Sequence, residues 1–423
     1  MSEIKIALLG CGTVGTGVWK VLSDGREQIG EKTGHTVSIS RILVRSLDKV
    51  RPVEIPASLF TTRIEEILED TEISVVVELM GGIEPAREMV ERAIRSGKHV
   101  VTANKALMAS YGPELFAMAH EKGVQLRFEG SVGGGIPVIA AMTESLAANR
   151  FEQVTGIING TTNYILTKMT QDSLSFEEAL RRAQDKGYAE ADPTSDVEGE
   201  DAAFKLAILA SIAFETRILP QTVPCEGIRR ISITEIEYAK KLGYVIKLLA
   251  TAKRTGKGLV LHVHPALVPC SHPLASVSDE YNALFIRGDA VGELMLYGKG
   301  AGSMPTASAV VGDLLYIIQD RGMQGGGHAR PQEIPIKGEG TGEYYIRLQV
   351  ADQPGVLGTI AMVFGRYEVS VASVVQQGQG QDVVPLVFVT HRVDKAVLDK
   401  ALKEIEEFPE VREIASILRV ETL

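Results

Sequence analysis

The chain has 423 residues, of which 45% are hydrophobic and 23% are charged, and its formal net charge is -10. This length allows roughly two or three domains of about 150 residues each, with a composition typical of globular proteins. The acidic balance argues against a nucleic-acid or membrane-surface role, because either would require a basic patch.

The chain also lacks the usual marks of export or membrane insertion. No apolar stretch reaches about 18 residues and no signal-peptide pattern opens the sequence. The three cysteines are scattered without a Cys-x-x-Cys pair, so neither a disulfide framework nor a cysteine zinc site is indicated. We expect a cytoplasmic protein with no membrane and no nucleic-acid partner.

The first 135 residues alternate short apolar runs with helical patterns. This alternation predicts a doubly wound parallel α/β sheet, a Rossmann-type nucleotide-binding domain. The predicted strands cover residues 4–9, 37–44, 75–79, 99–102 and 125–129, and the predicted helices cover 16–22, 64–68, 85–96 and 113–122.

A glycine fingerprint, Gly10-Cys11-Gly12-Thr13-Val14-Gly15, lies between the first strand and the first helix. In this context Gly10 allows a tight turn, Gly12 lets the backbone approach a pyrophosphate, and Gly15 allows close helix–strand packing. Thr13 and Val14 begin the helix, whose N-terminus would bind the phosphate. A tight turn without a ligand is the alternative.

The end of the second strand predicts which dinucleotide binds. Arg45 follows Ile42-Leu43-Val44, with Lys49 and Arg51 close behind, and no acid stands at the strand end. An arginine there suits the 2′-phosphate of NADP, whereas an acid would favour NAD. NADP is therefore preferred, with NAD still possible, and a solvated basic loop is the alternative interpretation.

After residue 135 the pattern changes to longer helices, predicted at 176–186, 200–214 and 234–250, and strands at 259–263 and 283–288. This indicates an α+β substrate-binding and dimerisation domain whose sheet need not be parallel. A segment rich in Gly, Pro and charge follows, and the last 80 or so residues predict a βαββαβ order, a small ferredoxin-like module. The predicted domains are 1–135, 136–321, a linker at 322–342 and 343–423.

Residues 187–205 hold six carboxylates between Glu190 and Asp201, and Lys205 follows Asp201 by four positions. On a helix, residues four apart share a face, so a carboxylate and an amine would point into the same space. The simpler interpretation is that acidic residues cap a helix N-terminus. A Mg²⁺ or Ca²⁺ site in the acidic run is a further alternative.

His262 and His264 lie two apart on a predicted strand and share a face. No third ligand is close to them in the sequence, so we interpret them as ordinary residues of a strand face and not as a zinc pair.

In these features the chain resembles the homoserine dehydrogenases, in the longer form that has a C-terminal ACT domain. The resemblance covers essentially the whole chain. Besides the glycine fingerprint and the 187–205 segment, it rests on four motifs in order, namely Val100-Val101-Thr102-Ala103-Asn104-Lys105-Ala106-Leu107, Glu129-Gly130-Ser131-Val132-Gly133-Gly134-Gly135-Ile136-Pro137, Gly156-Ile157-Ile158-Asn159-Gly160-Thr161-Thr162-Asn163-Tyr164-Ile165-Leu166 and Gly298-Lys299-Gly300-Ala301-Gly302.

The resemblance implies reversible, nicotinamide-dependent interconversion of L-homoserine and L-aspartate 4-semialdehyde, a step toward threonine, methionine and isoleucine. It implies that Lys105 lies beside nicotinamide and substrate, and that Asp201 and Lys205 hold substrate and act in proton transfer. Our hypothesis makes Lys205 the general acid/base, while Lys105 polarises the substrate oxygen or shares the proton.

The same resemblance assigns binding residues. Glu190 and Asp196 match acids that bind the substrate or line its pocket, and either Asp196 or Asp201 would join Glu190 in pairing the substrate ammonium. Gly187 and Gly302 match glycines that approach the cofactor. The family also binds a monovalent cation, usually Na⁺, largely through backbone carbonyls, and the matching positions here are Glu129, Val132, Gly134 and Ile136.

The C-terminal module resembles an ACT domain, with Asp352-Gln353-Pro354-Gly355-Val356-Leu357 at its first strand–helix turn. That resemblance implies amino-acid binding at this turn, with L-threonine as the expected inhibitor, and assembly as a homodimer or homotetramer. A module that only dimerises, or that has lost its ligand, is the alternative.

Two alternative functions compete with this one. One is a different Rossmann oxidoreductase acting on a sugar or amino-acid aldehyde, which the Asp201/Lys205 pair with Lys105 argues against. The other is a catalytically silent sensor of amino acids and nucleotides, which would require a lesion among the lysines or acids, and the sequence has none.

Overall fold

The computed structural model describes residues 2–49, 51, 53–319, 334–337, 340–376 and 382–421. The helices are α1 Thr13–Asp24, α2 Arg26–Thr33, α3 Glu65–Leu68, α4 Ala86–Arg95, α5 Lys105–Lys122, α6 Val138–Ala140, α7 Gly160–Asp172, α8 Phe176–Asp185, α9 Thr194–Val197, α10 Glu200–Phe214, α11 Ile233–Lys241, α12 Ser303–Ile318, α13 Val356–Arg366 and α14 Lys395–Glu406.

The strands are β1 Ser2–Leu9, β2 His35–Leu43, β3 Phe60–Thr61, β4 Ile73–Glu78, β5 His99–Thr102, β6 Leu126–Arg127, β7 Phe151–Ile157, β8 Tyr244–Thr255, β9 Gly258–Pro269, β10 Tyr281–Gly288, β11 Gly292–Lys299, β12 Ile336–Lys337, β13 Thr341–Ala351, β14 Val371–Gln376, β15 Val383–Thr390, β16 Val393–Asp394 and β17 Val411–Val420.

The chain divides into two compact units. The first contains Met1–Gly160, Glu200–Pro224 and Glu280–Ile334, and the second contains Thr161–Gly199, Cys225–Asp279 and Pro335–Leu423.

The first unit contains a six-stranded parallel sheet in the order β3-β2-β1-β4-β5-β6. This is the doubly wound order in which ligands bind at the carboxyl edge, where the strand order reverses between β1 and β4. The central strands are near-continuous apolar runs because both sheet faces are covered, and Ile6, Leu8 and Val77 are fully buried. The predicted Rossmann-type domain is confirmed, although α2 and β3 were not predicted.

The first unit also carries three antiparallel strands, β7, β10 and β11, with β10 in the centre. Helix α10 packs on β7 and on α5, and helix α12 packs on α1 and β5. These contacts bring the beginning of α5 to the beginning of α10, and the beginning of α12 to the glycine turn after β1.

In the second unit, β8 and β9 form a twelve-residue antiparallel ladder, and β17 continues the sheet by pairing in parallel with β9. Beyond it follow β13, β15 and β14, all antiparallel, with α13 and α14 on one face. Phe364, Phe388 and Leu402 lie in the core between sheet and helices. The predicted βαββαβ module is confirmed.

The helix predicted at 234–250 is wrong beyond Lys241. Gly243 takes a left-handed conformation with φ of 83°, and the chain then continues as β8. The pairing of β8 with β9 decides its conformation, because strand formation depends on partners more than on local propensity.

Most of the predicted linker, residues 322–333 and 338–339, lies outside the described residues. Its described part includes β12, which pairs in parallel with β9. Among the described residues, no helix combines the length and the hydropathy needed to cross a membrane.

Candidate active site

The turn after β1 has the geometry that a dinucleotide requires. Gly10 takes φ of 107°, and a Cβ there would lie 2.9 Å from the Leu79 carbonyl oxygen. A Cβ at Gly15 would lie 2.6 Å from the Gly10 carbonyl oxygen. Any side chain at position 15 would therefore prevent α1 from packing this closely against the turn. A Cβ at Gly12, by contrast, would have no described atom within 4 Å. The turn therefore leaves open backbone where a pyrophosphate would approach.

The N-terminus of α1 complements this opening. Helix α1 begins with Thr13 and Val14, and no side chain of the described residues caps it, so its first N–H groups face the space beside Gly12. Gly302, with φ of 120°, precedes α12, and Ser303 Oγ donates to the Thr13 carbonyl at 2.7 Å. Gly302 therefore lies close to the glycine turn, on the second helix that borders it.

The end of β2 presents basic side chains. Arg45 and Lys49 are exposed two and six residues after Leu43, where β2 ends. Arg51 is folded back, with its guanidinium 4.2 Å from the centre of the Phe60 ring and hydrogen-bonded to the Lys49 carbonyl. Arg45 is thus the first basic residue after the strand end at which the ribose of a bound dinucleotide would lie.

A buried carboxylate with two lysines lies where α10 meets α5. Asp201 is 3% exposed. Its Oδ2 accepts hydrogen bonds from Lys205 Nζ at 2.7 Å and from Asn159 Nδ2 at 2.8 Å, and its Oδ1 accepts one from Lys105 Nζ. Lys205 also donates to the Ile158 carbonyl at 2.9 Å. The structure therefore brings together the carboxylate and both lysines that the sequence singled out.

The electrostatics of this cluster favour an ionised carboxylate. Burial opposes the ionisation of Asp201, but the positive charges of Lys205 and Lys105 and their hydrogen bonds outweigh it and hold its pKa well below the usual range. The Lys105 side chain is 42% exposed and that of Lys205 is 11% exposed. Asp201 can thus hold two ammonium groups in fixed positions, with Lys105 the more accessible to a substrate.

Residues behind Lys105 fix its position. Asn104 caps α5 by accepting a hydrogen bond from the Leu107 amide at 3.1 Å, and its side-chain amide donates to the Gly82 carbonyl at 2.6 Å. Glu78, at the end of β4, is fully buried and accepts a hydrogen bond from Thr102 Oγ1 at 2.6 Å. Burial raises the pKa of Glu78, and four hydrogen bonds to it, including one from Asn104, act in the opposite direction.

Glu78 was not singled out from the sequence. Its position in the sequence could have indicated a site residue, because an acid that ends an apolar strand of a doubly wound sheet lies at the ligand-binding edge.

Glu129 belongs to a buried network of charges. Its carboxylate accepts the Ile139 and Ala140 amides at 2.9 and 2.7 Å, and its own amide donates to Asp313 Oδ2 at 2.7 Å. Arg127 donates to Asp313 Oδ1 at 3.1 Å. Burial raises the pKa of Glu129 to about 7 and that of Asp313 to about 6.

The four positions matched to the cation lie along one turn, residues 129–136. Gly133 and Gly134 there take left-handed conformations with φ of 77° and 54°. A Cβ at Gly134 would lie 2.5 Å from the Gly300 carbonyl, so the turn packs tightly against the glycine turn that follows β11. Val132 and Ile136 are buried in the same turn.

The other predicted substrate and cofactor residues lie in the second unit. Glu190 is exposed, and its carbonyl accepts a hydrogen bond from Gln184. Asp196 is half-buried in the first turn of α9, and Gly187, with φ of 74°, follows the end of α8.

The Thr161 hydroxyl donates a hydrogen bond to the Tyr188 carbonyl at 2.7 Å and therefore does not serve as a donor to a substrate carboxylate.

A glycine turn that fits a pyrophosphate, followed by a carboxylate holding two lysines, defines the class of protein as an oxidoreductase that uses a nicotinamide dinucleotide. Family models identify which one. The models described as "Homoserine dehydrogenase, NAD binding domain", "Homoserine dehydrogenase" and "ACT domain" match residues 10–129, 137–315 and 344–410. The chain belongs to the homoserine dehydrogenase family.

Known relatives match along the entire chain. The homoserine dehydrogenase of Synechocystis sp. is 45% identical, with 99% of each chain covered, and that of Bacillus subtilis is 42% identical, with 100% of this chain and 99% of the relative covered. Among solved structures, a homoserine dehydrogenase from Thiobacillus denitrificans superposes with a TM-score of 0.93 at 42% identity, covering 100% of this chain and 99% of the other. A hyperthermophilic archaeal homoserine dehydrogenase in complex with NADPH has a TM-score of 0.62 at 26% identity and covers 76% of this chain and 99% of the other.

Proposed function

We propose that the protein catalyses the reversible oxidation of L-homoserine to L-aspartate 4-semialdehyde with NADP as the preferred cofactor. The observation that carries this proposal is the convergence of Lys105 and Lys205 on the buried carboxylate of Asp201. The same step would serve threonine, methionine and isoleucine biosynthesis in the cytoplasm.

In the oxidation, the substrate hydroxyl loses a proton while its carbon loses a hydride. The bound nicotinamide supplies the hydride acceptor. Lys205 Nζ takes the hydroxyl proton and returns it to the carbonyl oxygen in the reverse reaction. Lys105 donates a hydrogen bond to the same oxygen and stabilises the charge that develops there. Lys205 takes this proton as a neutral amine and becomes an ammonium group. Asp201 keeps both lysine nitrogens in place, since its carboxylate accepts hydrogen bonds from both.

The substrate also carries an ammonium group, which requires an anionic partner. Glu190, together with Asp196 or Asp201, is proposed to bind it. The exposed carboxylate of Glu190 favours this role because it is accessible to a ligand.

For the cofactor, we assign the pyrophosphate to Gly10, Gly12, Thr13, Val14 and Gly15, and the 2′-phosphate of NADP to Arg45. An arginine binds a phosphate through charge-assisted and often bidentate hydrogen bonds, which a ribose hydroxyl does not match. Close approaches to the cofactor are further proposed for the residues Lys105, Gly187 and Gly302.

A sodium ion is proposed at the carbonyls of Glu129, Val132, Gly134 and Ile136. Consecutive left-handed glycines in this turn support the assignment, because such a backbone can direct several carbonyl oxygens toward one point. Sodium is a hard cation, and hard cations prefer oxygen ligands.

The ACT module is proposed to bind L-threonine as an inhibitor. A cleft of about 350 Å³ lies at its first strand–helix turn, bordered by Asp352, Gln353 and Gly355. Gly355 has φ of 96° and ends the turn just before α13, so the backbone N–H groups at the helix start are close to the cleft. These groups suit a carboxylate, and Asp352 suits an ammonium.

We further propose the domain bounds 1–135, 136–321 and 343–423 with a linker at 322–342, and a homodimer or homotetramer in solution.

The direct test is to mix the protein with L-homoserine and NADP at alkaline pH and follow the absorbance of the reduced nicotinamide. We expect turnover with both cofactors and a higher kcat/KM for NADP. An absence of turnover with either cofactor would overturn the proposed reaction.

A further inference from the structure

A second cluster of polar side chains lies away from the candidate active site. His262 and His264 project from β9, and Glu421 follows the end of β17. Glu421 Oε1 lies 3.5 Å from His262 Nε2 and 3.6 Å from His264 Nε2. No third ligand is close to the two histidines in the sequence, but in the structure the end of β17 brings a carboxylate to them from the far end of the chain.

The backbone holds all three residues in place. The histidines are two apart on a strand and so share a face. Strand β17 pairs in parallel with β9, with Val420 opposite Leu267, and the Glu421 amide donates to the Leu267 carbonyl at 2.9 Å. The donor atoms thus come from adjacent, hydrogen-bonded strands and not from mobile loops.

The cluster is buried and lacks hydrogen-bond partners. His262 and His264 are 4% and 6% exposed, and the Glu421 side chain is 13% exposed. Within the described part of the chain, both ring nitrogens of His262, Nε2 of His264 and Oε1 of Glu421 have no hydrogen-bond partner. Since buried polar atoms are almost always satisfied, these atoms require a partner that the described residues do not provide.

The spacing of the donor atoms fits a metal ion. Bonds of about 2.0–2.1 Å in a tetrahedral zinc site place neighbouring donor atoms about 3.3 Å apart. The two His–Glu distances are close to this value, and all three donor atoms lie within 4.8 Å of one another. The imidazole rings are stacked with an interplanar angle of 10°, so one ring has to tilt for both Nε2 lone pairs to converge.

We propose that His262, His264 and Glu421 bind a divalent transition-metal ion of the zinc type, with water in the fourth position. Two imidazoles and one carboxylate are a known ligand set for Zn²⁺. The ion would join β9, which lies within the region matched by the homoserine dehydrogenase model, to the last strand of the C-terminal module. Its role is to cross-link these two strands.

The proposal is tested by titrating the full chain, freed of metal with a chelator, with Co²⁺ and Zn²⁺. We expect one Co²⁺ per chain with the visible absorption of a four-coordinate ion, displacement by Zn²⁺, and a higher unfolding temperature with Zn²⁺. His262→Gln and Glu421→Gln should each weaken binding by at least about tenfold. The exposed His120→Gln should bind as the wild type does. Equal binding by wild type and the first two variants would overturn the site.

A second measurement needs no variant. Crystals of the full chain soaked in ZnCl₂ should give an anomalous peak at the zinc edge between the His262 and His264 rings and Glu421. Zinc peaks only elsewhere on the molecule, or none at all, would overturn the proposal.

Discussion

Asp201 is the residue on which the candidate site depends. Its buried carboxylate accepts hydrogen bonds from Lys205, Asn159 and Lys105, and the Lys205 ammonium also donates to the Ile158 carbonyl. A buried carboxylate is stable only when it is paired, and the two lysines satisfy that requirement while remaining the groups best placed to exchange protons with a substrate oxygen.

We expect the exposed side chain of Arg45 to determine the cofactor preference. Replacing Arg45 by alanine should weaken NADP binding by about 1.5–3 kcal/mol, because a hydrogen bond to a charged phosphate is lost. Binding of NAD, which lacks that phosphate, should hardly change. Titration of both cofactors into the wild type and into Arg45→Ala measures the two affinities.

The matched control for this experiment is Arg63→Ala, which removes another exposed arginine, one paired with Glu66. It should leave both affinities unchanged. An unaltered ratio of NADP to NAD affinity in Arg45→Ala would contradict the assignment of Arg45 to the 2′-phosphate.

Glu129 predicts a pH dependence of stability. Burial raises its pKa from 4.5 to about 7, so the folded protein retains a proton that the unfolded chain releases. The unfolding free energy should therefore fall as the pH rises from about 5 to 7.5, and the difference between the two pKa values corresponds to about 3 kcal/mol. Denaturant unfolding across this range measures the slope.

Glu129→Gln should flatten this slope, although Asp313, whose pKa is raised to about 6, contributes in the same direction. The exposed Glu121→Gln should keep the wild-type slope. Identical slopes in wild type and Glu129→Gln would contradict the assignment of the raised pKa to Glu129.

At the scale of elements, the first turn of α5 positions a proposed catalytic group. Asn104 caps the helix and Lys105 is its first residue. Asn104→Ala should lower the unfolding free energy by about 1 kcal/mol. Turnover should fall as well, because Lys105 would no longer be held beside Asp201. Denaturant unfolding and steady-state kinetics measure the two effects.

Asn104→Ser retains an oxygen that can cap the helix and should restore most of the stability. If Asn104→Ala were as stable and as active as the wild type, the cap would have no part in positioning Lys105.

How far the sequence predicts these elements depends on whether local or distant contacts determine them. The spacing of Asp201 and Lys205 correctly places both on one helix, because four-residue spacing is a local property. Helix α5 was expected to begin at Pro113, yet it begins eight residues earlier, with Pro113 in its interior. The helix predicted at 234–250 fails where β8 begins, because the sequence of β8 does not reveal its pairing with β9.

The same distinction holds for the two clusters of side chains. The contact of Lys105 with Asp201 was expected only from family resemblance, since 96 residues separate them. Glu421 was missed because nothing in a single sequence shows that β17 pairs with β9.

At the scale of the whole molecule, the ACT module is expected to couple threonine to turnover. Asp352→Asn, at the border of the cleft before α13, should abolish inhibition by L-threonine and leave uninhibited turnover unchanged. The expected cause is the loss of the charge that binds the amino-acid ammonium. Inhibition curves with L-threonine on the full chain measure the effect.

The exposed Asp399→Asn, on α14 and away from the cleft, serves as control and should be inhibited like the wild type. A wild type insensitive to L-threonine, or an Asp352→Asn variant inhibited at the same concentration, would contradict this account of regulation.

The central claim is that Lys205 transfers the proton while Lys105 and Asp201 organise the site. Lys205→Met keeps the length of the side chain and removes its amine, and Lys122→Met, at the exposed end of α5, is the matched control. We measure kcat for homoserine oxidation together with the dissociation constant of NADP. The account predicts a kcat lowered by about 10²–10⁴-fold in Lys205→Met with NADP binding intact, whereas near-normal turnover would contradict it.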